Sequence, residues 1–112
     1  MMDKAIEFVN LLISKGYKVS TAESCTGGMI ASEIVSVENA SKVLDISFVT
    51  YSPTAKNKYL GVSNDTIRIN GIVSEEVAQE MAKGLKKESN ANVVLCTTGI
   101  AGPGGGTSEK PV

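Results

Sequence analysis

The sequence predicts a single α/β domain, residues 1–112, built on a largely parallel sheet. Three observations carry this. Helical and strand patterns alternate in the order α-β-α-β-α-α-β, the order that winds helices onto a parallel sheet. Asn92 to Thr97 (NVVLCT) is a continuous apolar run, the pattern of a strand buried on both faces. Two glycine-rich segments, one around Gly27-Gly28 and one from Gly99 to Gly106, each follow a strand. Open α/β sheets place their ligand crevices at such strand ends. A chain of 112 residues suffices for one small core. No internal repeat or linker divides it.

Residues 2–15 read as the first helix, with Ile6, Val9, Leu12 and Ile13 at helical spacing and Gly16 as the stop. Lys18 to Ala22 reads as a short strand, with β-branched Val19 and Thr21. Residues 27–36 return to helical spacing through Ile30, Ile34 and Val35. The stretch TAESCTGG, Thr21 to Gly28, is therefore a strand–turn–helix junction. Residues 44–50 (LDISFVT) predict a second strand, with Leu44, Ile46 and Phe48 on one face. Residues 53–60 predict a short helix, with Ser52 as N-cap, Pro53 in the first position and Gly61 as the stop. Asn64 to Ile69 predicts another helical turn before Asn70-Gly71. Residues 75–88 form the clearest helix. Ser74 caps it, Glu75 and Glu76 suit its N-terminal dipole, and Val77, Met81 and Leu85 line one face.

Composition removes several classes of chemistry. The chain has no histidine, so a Ser-His-Asp or Cys-His pair within it is impossible, as is the usual His-containing zinc site. No metal site is expected. An activated nucleophile must lean on a lysine, a carboxylate, a helix N-terminus or another chain. The net charge of −1 argues against a protein that grips phosphate backbones. The clusters Lys56 and Lys58, and Lys83, Lys86 and Lys87, read as solvated helix faces. With no tryptophan and five other aromatics there is little for a base-stacking platform. The N-terminus lacks a secretory h-region, and no apolar run spans a membrane. Cys25 and Cys96 fit neither a redox pair nor a metal knuckle and are expected as reduced thiols. A cytoplasmic location follows as the expectation.

Three segments can carry chemistry. At TAESCTGG, backbone N–H groups of a helix N-terminus can stabilise an oxyanion, and Gly27 and Gly28 admit close approach to that backbone. Ser24 is a nucleophile candidate there, and Ser24 or Thr26 is equally an N-cap candidate. Cys25 reads either as an activated thiol or as a small packed hydrophobe. In the segment from Thr50 to Lys56, Tyr51 ends a strand and Lys56 sits on the next helix. Lys56 is either solvated or, if buried near Ser24, a general base. The loop Gly99 to Gly106 matches neither the Walker pattern nor GxGxxG. It reads as a phosphate cradle or as a flexible surface loop.

Taken together, these segments resemble the CinA C-terminal domain family, the nicotinamide mononucleotide deamidases. TAESCTGG (21–28), FVTYSPTAK (48–56), LGV (60–62), GIVSEEVAQEMAKG (71–84) and TTGIAGPGGGTSEKPV (97–112) stand in family order and near family spacing. The resemblance implies a three-layer α/β/α fold with a mostly parallel, mixed sheet. It implies hydrolysis of the nucleotide carboxamide to nicotinic acid mononucleotide and ammonia, a step in pyridine-nucleotide salvage. No cofactor is implied. Ser24 corresponds to the family's proposed nucleophile, and Lys56, Tyr51 and Thr98 to the rest of its catalytic set. On this expectation Lys56, or a Lys56–Tyr51 relay, takes the proton of Ser24. N–H groups around Thr26, Gly27 and Gly28 hold the oxyanion, and the loop with Gly102, Gly104 and Gly105 holds the ribose phosphate.

Where many relatives have Asn-Glu, this chain has Pro53-Thr54, leaving Tyr51 and Lys56 in place. The family domain continues past GTSEKPV through further strand, a Gly-Asp-Arg segment with a substrate-binding arginine, and a closing helix. A chain ending at Val112 is expected to expose a sheet edge and apolar helix faces. The expected partner is the small-molecule nucleotide, with neither nucleic acid nor membrane, and a homodimer is the expected assembly. The alternatives are a non-catalytic nucleotide-binding module and a competence or DNA-damage associated protein.

Overall fold

The computed structural model describes residues 2–112. Helix α1 (Met2–Lys15) leads into strand β1 (Val19–Glu23), all five residues of which are buried. Helix α2 (Met29–Val35), a 3₁₀ turn (Ala40–Lys42) and strand β2 (Leu44–Val49) follow. Helices α3 (Pro53–Leu60), α4 (Asn64–Asn70) and α5 (Glu75–Glu88) precede strand β3 (Val93–Cys96). The sheet order is β2-β1-β3, and both pairings are parallel. β1 is thus central, which is why it alone is wholly buried.

Two apolar clusters make the outer layers. On one face Val9 and Leu12 of α1 and Ile34 of α2 pack with Val19, Val37 and Val43. On the other, Leu60 of α3 and Val77, Met81 and Leu85 of α5 pack with Ala22 and Val62. β3 serves both: Val93 and Leu95 join the first cluster, Val94 and Cys96 the second. The fold is therefore the three-layer α/β/α arrangement that the sequence predicts. Val77, Met81 and Leu85 have no exposed surface. Burying each contributes about 1.5–3 kcal/mol. That outweighs the contribution of about 1 kcal/mol from the Ser74 cap, whose Oγ accepts the Val77 N–H.

Five expectations need correction. Leu44, Ile46 and Phe48 do not share a face: Leu44 packs on the first cluster, Phe48 on the second, and Ile46 is exposed. The cause is an irregularity in register, Val19 pairing with Leu44 but Thr21 with Ser47. One extra residue in β2 flips the side-chain alternation. Ser20 Oγ accepts the Ile46 N–H at 3.2 Å within this irregularity. β3 is half-buried rather than buried on both faces, because it is an edge strand among the described residues. The first strand begins and ends one residue later than Lys18 to Ala22. The second helix begins at Met29, not residue 27, because Gly27 (φ 60°) and Gly28 (φ 103°) adopt left-handed backbone that a helix excludes. Gly28 is the N-cap residue and has no side-chain cap bond, so neither Ser24 nor Thr26 caps α2.

Candidate active site

The C-terminal ends of β1 and β2 place the first two site residues. Ser24 follows β1 directly and is 4% exposed. Thr50 N–H donates to the Glu23 carbonyl at 2.9 Å, holding the exit of β2 beside that of β1. The chain then turns into α3. Ser52 Oγ accepts the Ala55 N–H at 3.0 Å, and Pro53 fits the first turn, where its missing donor is harmless. This start aims Lys56 back under the strand ends, where it is 1% exposed.

Lys56 Nζ has three oxygen neighbours: Ser24 Oγ at 3.0 Å, the Thr50 carbonyl at 3.0 Å and the Tyr51 carbonyl at 3.2 Å. A neutral amine has two hydrogens and one lone pair. Both carbonyls can only accept, so they take the two hydrogens, and the lone pair is left for the Ser24 hydroxyl. Burial pushes the Lys56 pKa below its ordinary value, and the nearby Cys25 sulfur opposes that shift. The net effect favours the neutral form that a base requires.

A cavity of about 310 Å³ opens over this pair, lined by Ser24, Tyr51, Pro53, Lys56, Ile72, Val73, Thr98, Gly99, Ile100, Ala101, Gly102 and Gly104. Ser24, Lys56, Tyr51, Thr98, Gly102 and Gly104 are thus brought together around one space. Thr26, Gly27, Gly28 and Gly105 are not among its lining residues; the Gly105 backbone is left-handed, with φ 88°. Tyr51 meets Lys56 through its carbonyl, and the residue as a whole is 63% exposed at the rim. Thr98 Oγ1 donates to the Ile72 carbonyl at 3.0 Å and so builds the wall. Cys25 is half-buried, and its Sγ lies 3.0 Å from where a Cβ on Gly99 would stand, so a side chain at 99 would press on the sulfur.

The wall from the end of α4 through residues 71–74 is irregular, yet side chains take up its carbonyls in turn. Ser74 Oγ donates to Gly71 O, Thr98 to Ile72 O, and Lys110 Nζ to both Asn70 O and Val73 O. Lys110 thereby ties the end of the glycine-rich loop to the opposite wall. Replacing it by Met removes two charge-assisted bonds at a half-buried site, about 1–2 kcal/mol net. Amide exchange across 99–109 is expected to rise roughly tenfold while α5 stays protected. Unchanged exchange in that loop would remove the tie.

Glu23, which the sequence reading passed over, is wholly buried beside the nucleophile candidate. Its Oε1 accepts Thr26 Oγ1–H at 2.7 Å and Ile30 N–H at 2.9 Å, and its Oε2 accepts Ala31 N–H at 2.9 Å. Burial raises its pKa, but the bonds from Thr26, Ile30, Ala31 and Gly28 together outweigh burial and hold it below the ordinary value. The available signal was an acidic residue a few positions ahead of a helix N-terminus. The Gly27 N–H donates to the Ser24 carbonyl at 3.0 Å, so it does not face the cavity as a free donor. Among the described residues, the amides of Cys25 and Thr26 donate no hydrogen bond. No group of three or more His, Cys, Asp or Glu there could hold a metal ion, and no helix is long and apolar enough to cross a membrane.

Fold and site define a three-layer α/β protein with a buried serine–lysine pair at the C-terminal ends of its strands. The chain belongs to the CinA C-terminal domain family, whose pattern it matches over residues 2–112. Its structure is similar to that of the competence/damage inducible protein CihA from Agrobacterium tumefaciens, with a TM-score of 0.96 and 45% identity, covering 99% of this chain and 67% of that one. A CinA superfamily protein from Escherichia coli gives a TM-score of 0.91 at 37% identity, covering 99% and 65%. In sequence, the chain is 55% identical over 104 residues to a protein of Caldicellulosiruptor saccharolyticus provisionally named competence-damage inducible, covering 93% of this chain and 25% of that protein. The chain thus spans about a quarter of the length of the curated relatives it matches.

Proposed function

We propose that this chain carries an amidohydrolase site that converts nicotinamide mononucleotide to nicotinic acid mononucleotide and ammonia. The observation that carries the reading is the 3.0 Å contact between Ser24 Oγ and a buried Lys56 amine oriented by two carbonyls. Neutral Lys56 accepts the Ser24 proton as Oγ attacks the carboxamide carbon. In this reading the tetrahedral oxyanion is met by the amides of Cys25 and Thr26, which no group among the described residues accepts, although neither residue is among those lining the cavity. This changes the cradle expected from the sequence, since the Gly27 amide is already spent on Ser24. The Lys56 ammonium then protonates the departing nitrogen, ammonia leaves, and Ser24 carries the acyl group. Water attacks that ester, Lys56 takes its proton and passes it to Ser24 Oγ as the ester bond breaks, which releases the carboxylic acid and restores the Ser24 hydroxyl and the neutral amine. In the relay, the contact supports the Tyr51 carbonyl rather than its phenol. In this reading the exposed Tyr51 ring covers the flat pyridine. The substrate itself rests on the family resemblance.

The test is ammonia release from nicotinamide mononucleotide, measured on this chain and on one extended to its neighbours' full length. Release is expected from the competent chain and none above background from its Ser24→Ala variant. Turnover retained by Ser24→Ala sinks the nucleophile role. Calorimetric binding of the nucleotide with no release from either chain would make this a nucleotide-binding module instead.

A further inference from the structure

Glu23 forms no contact with the cavity, yet it is a fully buried carboxylate one residue from the nucleophile candidate. Its surroundings fix the direction of a hydrogen-bond chain. A carboxylate only accepts, so Thr26 spends its single hydroxyl hydrogen on Glu23 Oε1. Thr26 Oγ1 and Thr97 Oγ1 lie 2.9 Å apart, so Thr97 must be the donor there. Thr97 Oγ1 then accepts the Ser24 N–H at 3.2 Å. The order is Ser24 N–H to Thr97, Thr97 to Thr26, Thr26 to Glu23, each donor pointing toward the anion. A chain with one direction polarises each member and leaves no rotor free to reverse.

The same carboxylate also takes the Ile30 and Ala31 amides at the start of α2. The Met29 amide goes to the Thr26 carbonyl and the Gly27 amide to the Ser24 carbonyl. The donors of the elbow are thereby consumed internally, except those of Cys25 and Thr26. The short helix α2 offers a ligand no anion site of its own, since Glu23 fills that end.

We infer that Glu23 is the positioning residue of the nucleophile elbow: through Thr26 and Thr97 it fixes the Ser24 backbone, and by occupying the α2 amides it leaves the Cys25 and Thr26 amides as the elbow's open donors. The catalytic half of this statement rests on Ser24 being the nucleophile. The structural half does not. Glutamine at 23 has one acceptor oxygen for the donors of Thr21, Thr26, Ile30 and Ala31, so at least one of these bonds is lost and the charge that orients the hydroxyl chain is gone. Valine at 26 keeps the shape of threonine and cuts the chain at its middle link.

The experiment compares wild type with Glu23→Gln, Thr26→Val and Thr26→Ser. Amide exchange by NMR reads the backbone, and ammonia release reads the reaction. Exchange of the Ser24 amide is expected to rise about tenfold or more in Glu23→Gln and Thr26→Val, with α1 and α5 amides unchanged, and to return toward wild type in Thr26→Ser. kcat is expected to fall about 10²-fold in the first two variants while KM stays within a few-fold, since a misplaced nucleophile costs rate rather than binding. Should Glu23→Gln fail to fold, the Thr26 pair carries the comparison. Ser24 exchange equal to wild type in Thr26→Val overturns the proposal. Raised exchange with no ammonia release from any chain, wild type included, upholds the positioning role and sinks the deamidase reading alone.

Discussion

The Lys56→Met variant is expected to lose about 10²–10⁴-fold in kcat for ammonia release, the range that general-base catalysis supplies. Lys56→Arg should be as slow, although it keeps the charge, because a guanidinium is never deprotonated in a protein. That pair of variants separates a base from a mere positive charge. The wild-type rate should rise with pH through the lowered Lys56 pKa and then level off, as the neutral amine accumulates. Lys56→Met should show no such limb. Stability runs the other way. The unfolded chain binds the Lys56 proton up to a higher pH than the folded chain does, so unfolding takes up a proton in the window between the two pKa values. Folding stability therefore rises with pH through that window. The penalty for burying the ammonium is fully present below the folded pKa and is gone above the unfolded one. At neutral pH, Lys56→Met should thus melt no lower than wild type. A pH-independent wild-type rate, or a Lys56→Arg enzyme at full speed, would end the base assignment.

Much of this site was legible in the chain because its parts lie at strand ends that glycine marks. Ser24 stands before Gly27-Gly28, and Ser52-Pro53 announces the helix that carries Lys56. The missing histidine narrowed the bases to few. What local sequence could not supply was closeness. Ser24 and Lys56 are 32 residues apart, and their meeting depends on parallel pairing of β1 with β2 and on the Thr50–Glu23 backbone bond. Glu23 was missed for a related reason. At the end of a strand its side chain lies on the α2 side of the sheet and Ser24 on the α3 side, so neighbours in sequence serve different layers. The β2 face was misread because one irregular residue, with Ser20 Oγ in place of a backbone acceptor, inverts the alternation that periodicity assumes. The exposed edge of β3 likewise follows from which strands pair, not from its own apolar residues.

Gly84 on α5 makes the strongest case for a stability effect that helix propensity gets backwards. Taken alone, glycine inside a helix costs about 1 kcal/mol against alanine, so Gly84→Ala should stabilise. The packing says otherwise. A Cβ on Gly84 would stand 1.8 Å from the Leu60 carbonyl oxygen, 2.6 Å from its carbon and 2.9 Å from its Cα. These are backbone atoms at the end of α3, with no side-chain rotamer to yield. Overpacking typically costs 1–3 kcal/mol and more where the backbone must move. The net expectation for Gly84→Ala is a loss of about 2 kcal/mol or more, a fall of roughly 10 °C in melting temperature for a domain of this size. Gly104→Ala is the control, since nothing lies within 4 Å of its added carbon and its backbone is not left-handed. The damage should also reach the site. Leu60 is one helical turn beyond Lys56, so pushing α3 away from α5 pulls the amine from Ser24 and admits water around it. Gly84→Ala should therefore shift the rising limb of the rate toward higher pH, as burial of Lys56 is relieved, besides lowering the melting point. A variant that melts at or above wild type would show that α3 and α5 do not meet as closely as this.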